Sequence, residues 1–143
     1  SRLRATVADV GCWRLLDRRL TTAELGSLVD RADVVRAAYQ RFVGSSGVLA
    51  WAASRRKPVI AQDYGLVGAL VRQYSLGVAT DTLEPGRIAA AIRELAAPAA
   101  IADWSAAAAC EAFVAGRTER EFARTYADAL RSVLLAEGRI VHG

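Results

Sequence analysis

Four small residues in a row, Gly44-Ser45-Ser46-Gly47, are the part of this chain best suited to chemistry. They stand between an apolar run that begins at Val34 and a stretch of helix-forming composition over 48–55. Such a loop holds phosphate well. Its small side chains let the backbone approach, the first N–H groups of the helix lack partners, and the helix dipole favours negative charge. Ser45 or Ser46 would add a hydroxyl. The plain alternative is a tight strand-to-helix turn with a serine N-cap, and the motif alone does not separate the two. Tyr39, Gln40 and Arg41 follow the first apolar run and would line the same crevice, Arg41 as a phosphate partner or as an ordinary solvated arginine. Asp63, with Tyr64, Gly65 and Leu66 behind it, is the carboxylate best placed to face a ligand, and capping the next loop or helix is its other reading. Trp51 lies on the helix behind the loop, where core packing is the default.

The remaining inventory excludes more than it offers. The sole histidine, His142, falls in what reads as a loose tail, so Ser-His-Asp catalysis and histidine metal sites have no parts. Cys12 and Cys110 are far apart and match no metal-ligand spacing, which points to two unpaired thiols in a reducing compartment.

The elements that must position the loop follow from periodicity. A short strand over 34–39, the small-residue turn, a helix over 48–55 and a second strand at Pro58-Val59-Ile60-Ala61 make a βαβ unit. Two buried strands joined through one helix run parallel, and the loop after the first then lies at the carboxyl edge of the sheet, where α/β proteins bind ligands. Before this unit, weak helical character over 2–10 and an apolar run over 12–16 precede a capping box, Thr21-Thr22-Ala23-Glu24, flanked by Leu20 and Leu25. It predicts a helix over 22–31 burying Leu25, Leu28, Val29 and Ala32. After it come a helix with Leu66, Val67, Leu70 and Val71, a third strand at Gly77-Val78-Ala79, and a helix opened by Pro85 that buries Ile88, Ile92 and Leu95. Beyond Pro98 strands cease and two helices are expected. The first is lined by Ile101, Trp104, Ala108, Cys110 and Phe113 and stopped at Gly116; the second starts in a capping box at Thr118-Glu119-Arg120-Glu121, carries Phe122, Tyr126, Leu130, Val133 and Leu134, and ends at Gly138.

With 143 residues, 53% hydrophobic and 24% charged, the chain has ordinary globular composition for one domain. The net charge is +4, yet Lys57 is the only lysine and the arginines are scattered among acids, which argues against a nucleic-acid partner. No apolar run reaches the roughly 18 residues of a membrane span, and no signal peptide is evident, so a cytoplasmic location is expected. The absence of methionine and a start inside apparent helix lead us to expect a piece of a longer protein.

Several blocks in register resemble a known family. Ala32-Asp33-Val34-Val35, the glycine-containing loop, Ala52-Ala53, Lys57-Pro58-Val59-Ile60-Ala61, Asp63-Tyr64-Gly65, Leu76-Gly77 and the aliphatic helix after Pro85 look like the carboxyl-terminal half of a GT-B glycosyltransferase. The nearest group is the retaining, glycogen-synthase-like group 1, and the resemblance runs from Leu20 to Leu134. It implies an α/β, Rossmann-like domain over 1–97 that holds a nucleotide-diphosphate sugar, and a helical extension over 98–143 packed on the same domain. It also implies an N-terminal acceptor-binding domain in the same chain, and transfer of the donor's sugar to an acceptor with no cofactor and no required metal. On this alignment residues 44–47 are the glycine-rich turn whose backbone contacts the donor diphosphate, and residues 62–66 are the loop beside the donor and acceptor crevice.

Two departures stand out. The family has a glutamate near the sugar and, after seven intervening residues, another that holds the ribose hydroxyls; here those positions are Val43 and Trp51. Neither side chain can do that work, although a ring at 51 would stack on or wall the nucleoside. The basic residues that normally neutralise the diphosphate lie upstream or are missing, so this stretch alone is not expected to turn over. The departures motivate a second reading, a non-catalytic GT-B-like binding or assembly module. A third is a sugar epimerase of the same fold, whose Ser-Gly turn resembles Ser46-Gly47 but which also expects a glutamate near 51.

Overall fold

The computed structural model describes residues 15–136 except Val43 and Ala108. The expected helix over 2–10, the start of the apolar run at Cys12, the Gly138 stop and the tail with His142 lie outside the described residues. Three parallel strands, β1 (Val35–Ala37), β2 (Val59–Gln62) and β3 (Gly77–Thr80), form a sheet in the order β1-β2-β3. Helix α1 (Thr22–Arg31) precedes β1, α2 (Gly47–Ser54) joins β1 to β2, and α3 (Gly65–Gln73) joins β2 to β3. After β3 come α4 (Pro85–Ala96), α5 (Pro98–Ala107), α6 (Cys110–Ala115) and α7 (Glu119–Ala136).

Strand alternation sorts the core into two faces. Val59 and Ala61 point to one side, where they pack with Leu49 and Ala52 of α2, Val67 and Val71 of α3, and Cys110 and Phe113 of α6. Ile60 points to the other and meets Ala91 and Leu95 of α4. Both crossover helices therefore lie on one face, as two crossovers of the same hand between neighbouring strands require. Two glycines let the backbones close up. A Cβ on Gly77, at φ +145°, would sit 2.0 Å from the carbonyl oxygen of Val59 across the β2–β3 pair. A Cβ on Gly68 would sit 2.6 Å from the Asp63 carbonyl carbon, so α3 rests directly on the chain leaving β2.

The capping box of α1 forms in full: Glu24 N–H donates to Thr21 Oγ1 (3.2 Å) and Thr21 N–H to the Glu24 carboxylate (2.9 Å). Arg18 adds two donors to the same carboxylate. Several expected core positions are corrected. In α1 the buried residues are Gly26 and Val29 while Leu28 is exposed, because Gly26 is the point of approach to α2 and turns Leu28 outward. In α3 Leu66 is exposed, and in α4 Ala91 takes the inward place expected of Ile92, since a small residue lets the helix settle on Ile60. The closing segment is three helices, not two. The Ala109 N–H donates to the Tyr74 carbonyl just after α3 (3.0 Å), and Ala109 stands as the N-cap from which α6 starts anew. On α7 the Glu121 carboxylate turns to Arg124, leaving only the Thr118 half of that capping box. Its apolar stripe is uncovered, with Phe122, Tyr126, Leu130 and Val133 all exposed. No helix among the described residues is long and apolar enough to cross a membrane.

Candidate functional site

The βαβ order places residues 44–46 between β1 and α2, with Gly47 opening the helix, at the carboxyl edge of the parallel sheet. Ser46 is the N-cap of α2, and its hydroxyl oxygen accepts the Val48 N–H (3.3 Å). The same hydroxyl donates to the phenol oxygen of Tyr39 (3.0 Å). Ser46 adopts φ +55° and ψ 115°, a left-handed value that a non-glycine residue holds only where neighbours fix it. The first turn of α2 carries no acidic residue. The N–H groups of Ser45 and Gly47 find no acceptor among the described residues. A Cβ on Gly47 would meet nothing within 4 Å, so the N-terminus of α2 opens outward. Gly44 is more enclosed, its Cβ position 3.0 Å from the Phe42 ring, which itself packs on Tyr39 with centroids 4.8 Å apart.

A second set of bonds ties this loop to the chain after β2. The Tyr64 hydroxyl donates to the Tyr39 carbonyl (3.0 Å) and accepts the Arg41 N–H (2.9 Å). That single phenol fixes Arg41 at φ +55° and leaves its guanidinium exposed, without an ion pair among the described residues. Deeper in, the Tyr39 N–H donates to Oε1 of Gln62 (3.2 Å), whose side chain is wholly buried at the end of β2. Tyr39 is thus held at three points, by amide, carbonyl and phenol. Gly65, at φ +65°, makes the turn into α3, and the Arg72 guanidinium donates to the Asp63 carbonyl (2.8 Å).

Of the residues singled out by sequence, Tyr39, Arg41, Ser46 and Tyr64 are joined by hydrogen bonds, with Gly44, Ser45, Gly47 and Gly65 in the same two loops. Gln40, Asp63 and Leu66 are exposed along these loops. Trp51 is elsewhere. Its ring faces α1, 3.5 Å from the Cβ position of Gly26, and carries the Arg55 guanidinium at 4.5 Å. It therefore packs two helices together and is not brought to the crevice. Val43 lies outside the described residues. One participant, Phe42, went unnoticed in the sequence, and Gln62, expected only as the first residue of the loop beside the crevice, proves to hold the Tyr39 amide. Gln62 ends an apolar strand, where a polar residue reads as a mere boundary.

Chemically, the described residues offer main-chain donors, a helix dipole, an exposed arginine and two phenols, and among them no acid and base are in bonding contact. Among the described residues no three His, Cys, Asp or Glu side chains gather as metal ligands. Searched against protein families, curated proteins and solved structures, the chain has no match.

Proposed function

We propose that the chain is the donor-binding half of a GT-B glycosyltransferase and holds the diphosphate of a nucleotide-diphosphate sugar at the N-terminus of α2. One observation carries the reading: an outward-facing helix N-terminus at the carboxyl edge of a parallel βαβ unit, with no acid of its own and with Gly47 opening onto free space. In this role the Ser45 and Gly47 amides donate to phosphate oxygens, and the exposed Arg41 guanidinium lies in the same loop. Holding the diphosphate there would stabilise the charge that develops on it as the sugar leaves. The acceptor, and the cations that complete this stabilisation, would come from an N-terminal domain of the same protein.

The placement of Trp51 favours a second reading. The family's ribose-holding glutamate would stand at that position, and here it is a tryptophan committed to the α1–α2 contact. A GT-B-like module that binds a nucleotide without transferring its sugar fits that substitution. Calorimetric titration with uridine, guanosine and adenosine diphosphates tests both. Binding of one of them, with micromolar to millimolar affinity, is expected on either reading, and turnover of the corresponding nucleotide sugar by the longer protein selects the first. Absence of binding to all three rejects both.

A further inference from the structure

Gln62 is the most enclosed polar side chain described, with no exposure, at the carboxyl end of the central strand. Its amide is oriented by its neighbour. The Tyr39 N–H can only donate, so Oε1 must face it, and Nε2 is left on the other prong. Nε2 is buried and has no hydrogen-bond partner among the described residues. An orphaned donor of this kind costs roughly 1–3 kcal/mol and does not persist without a reason. A leucine would fill much of the same volume but would leave the Tyr39 N–H without its acceptor, so the Oε1 end of Gln62 has a structural role and the Nε2 end has none in the described residues.

Its position suggests the reason. Tyr39 spans from Gln62 to Ser46, with its amide on the first and its phenol on the second. The orphaned amide and the open N-terminus of α2 are therefore one tyrosine's length apart on the same edge of the sheet. We infer that Gln62 is a recognition residue of this site, its Nε2 donating to an oxygen of the bound nucleotide-diphosphate sugar while the α2 N-terminus holds a phosphate. This rests on the donor-binding reading above and extends it to a residue outside the glycine-rich turn. The oxygen is an acceptor on either the diphosphate or the sugar, since Nε2 can only donate.

The chain has three glutamines, and Gln40 and Gln73 are exposed, so the buried side-chain amide of Gln62 gives a separable NMR signal pair. The full chain is titrated with inorganic pyrophosphate, with uridine diphosphate and with uridine-diphosphate glucose. The Gln62 side-chain signals are expected to shift with the bound ligand while those of Gln73 stay. A shift with pyrophosphate assigns the oxygen to the phosphates, and a shift with the nucleotide sugar alone assigns it to the sugar. Gln62→Glu keeps an oxygen toward Tyr39 and replaces the donor by an acceptor, so affinity should fall about tenfold or more. If a ligand binds while the Gln62 signals stay in place, the inference is overturned and the donor-binding reading survives. A long-lived water on Nε2 that ligand does not displace has the same consequence. Guanosine and adenosine diphosphates are titrated in the same way, and if none of these ligands binds, both fail. The wild-type signals decide the matter even should Gln62→Glu not fold.

Discussion

Helices α1 and α2 both begin at a hydroxyl cap, and they end up electrostatically opposite. At α1 the sequence supplies its own anion: Glu24 closes the capping box on Thr21 and takes two further donors from Arg18. The Arg18 hydrogen bonds, and then the Thr21 N–H, pull the Glu24 carboxyl down to about 2. At α2, Ser46 satisfies one N–H, no acid follows, and the hydroxyl's own proton is spent on Tyr39. A helix N-terminus that neutralises itself is finished structure. One that is capped yet left without a negative charge, at the carboxyl edge of a parallel sheet, is where we propose that an anion from outside is held.

The largest effect should come from making α2 resemble α1. Gly47→Glu places a carboxylate at the first helical position, into space where a Cβ meets nothing. Anion affinity should fall at least about tenfold, through repulsion and competition for the N–H groups, while thermal stability holds or rises by about 0.3–1 kcal/mol. Those opposite signs separate a binding site from a merely structural turn, for which only stability would move. A smaller effect is expected from Tyr64→Phe, which removes the phenol that bridges Tyr39 and Arg41. Denaturant unfolding should show a loss of about 1 kcal/mol, and nucleotide affinity should weaken as the loop loosens. Least of all should be felt from acid. Because the folded Glu24 carboxyl lies below its ordinary value of 4.5, its contribution is complete above that pH and is lost as the pH falls toward 2. Amide protection at residues 21–25, taken relative to the intrinsic exchange rate at each pH, should fall over that window, and that of residues 46–50, with no acid in the turn, should not follow it. Glu24→Gln should remove the difference.

The contrast also separates what the chain reveals by itself from what it does not. The α1 cap was legible because a capping box is written in four consecutive residues, and the βαβ order because Val34, the small-residue turn and Pro58-Val59-Ile60 keep strand and helix periods apart. That Trp51 packs against the body of the protein was legible as its default reading, but its partner was not, since which face of α2 meets α1 depends on Gly26, a contact across the sequence. Gln62 was placed in the loop beside the crevice, but its tie to Tyr39 was not legible for the same reason: its partner is a backbone amide in another loop. The break between α5 and α6 lies in an alanine-rich run with no helix-stopping residue and is marked by a hydrogen bond from Ala109 to Tyr74. The uncovered stripe of α7 shows the limit in reverse, because a regular apolar period tells where a face is and not whether anything in this chain covers it.

The most direct measurement follows backbone amide signals while the chain is titrated with uridine, guanosine and adenosine diphosphates. A saturable shift of the Ser45 and Gly47 N–H signals by at least one of them, with Thr22 and Glu24 unmoved, is the expected result. Shifts centred on α1, or spread evenly over exposed arginines with none at Ser45 and Gly47, would contradict an anion site at α2.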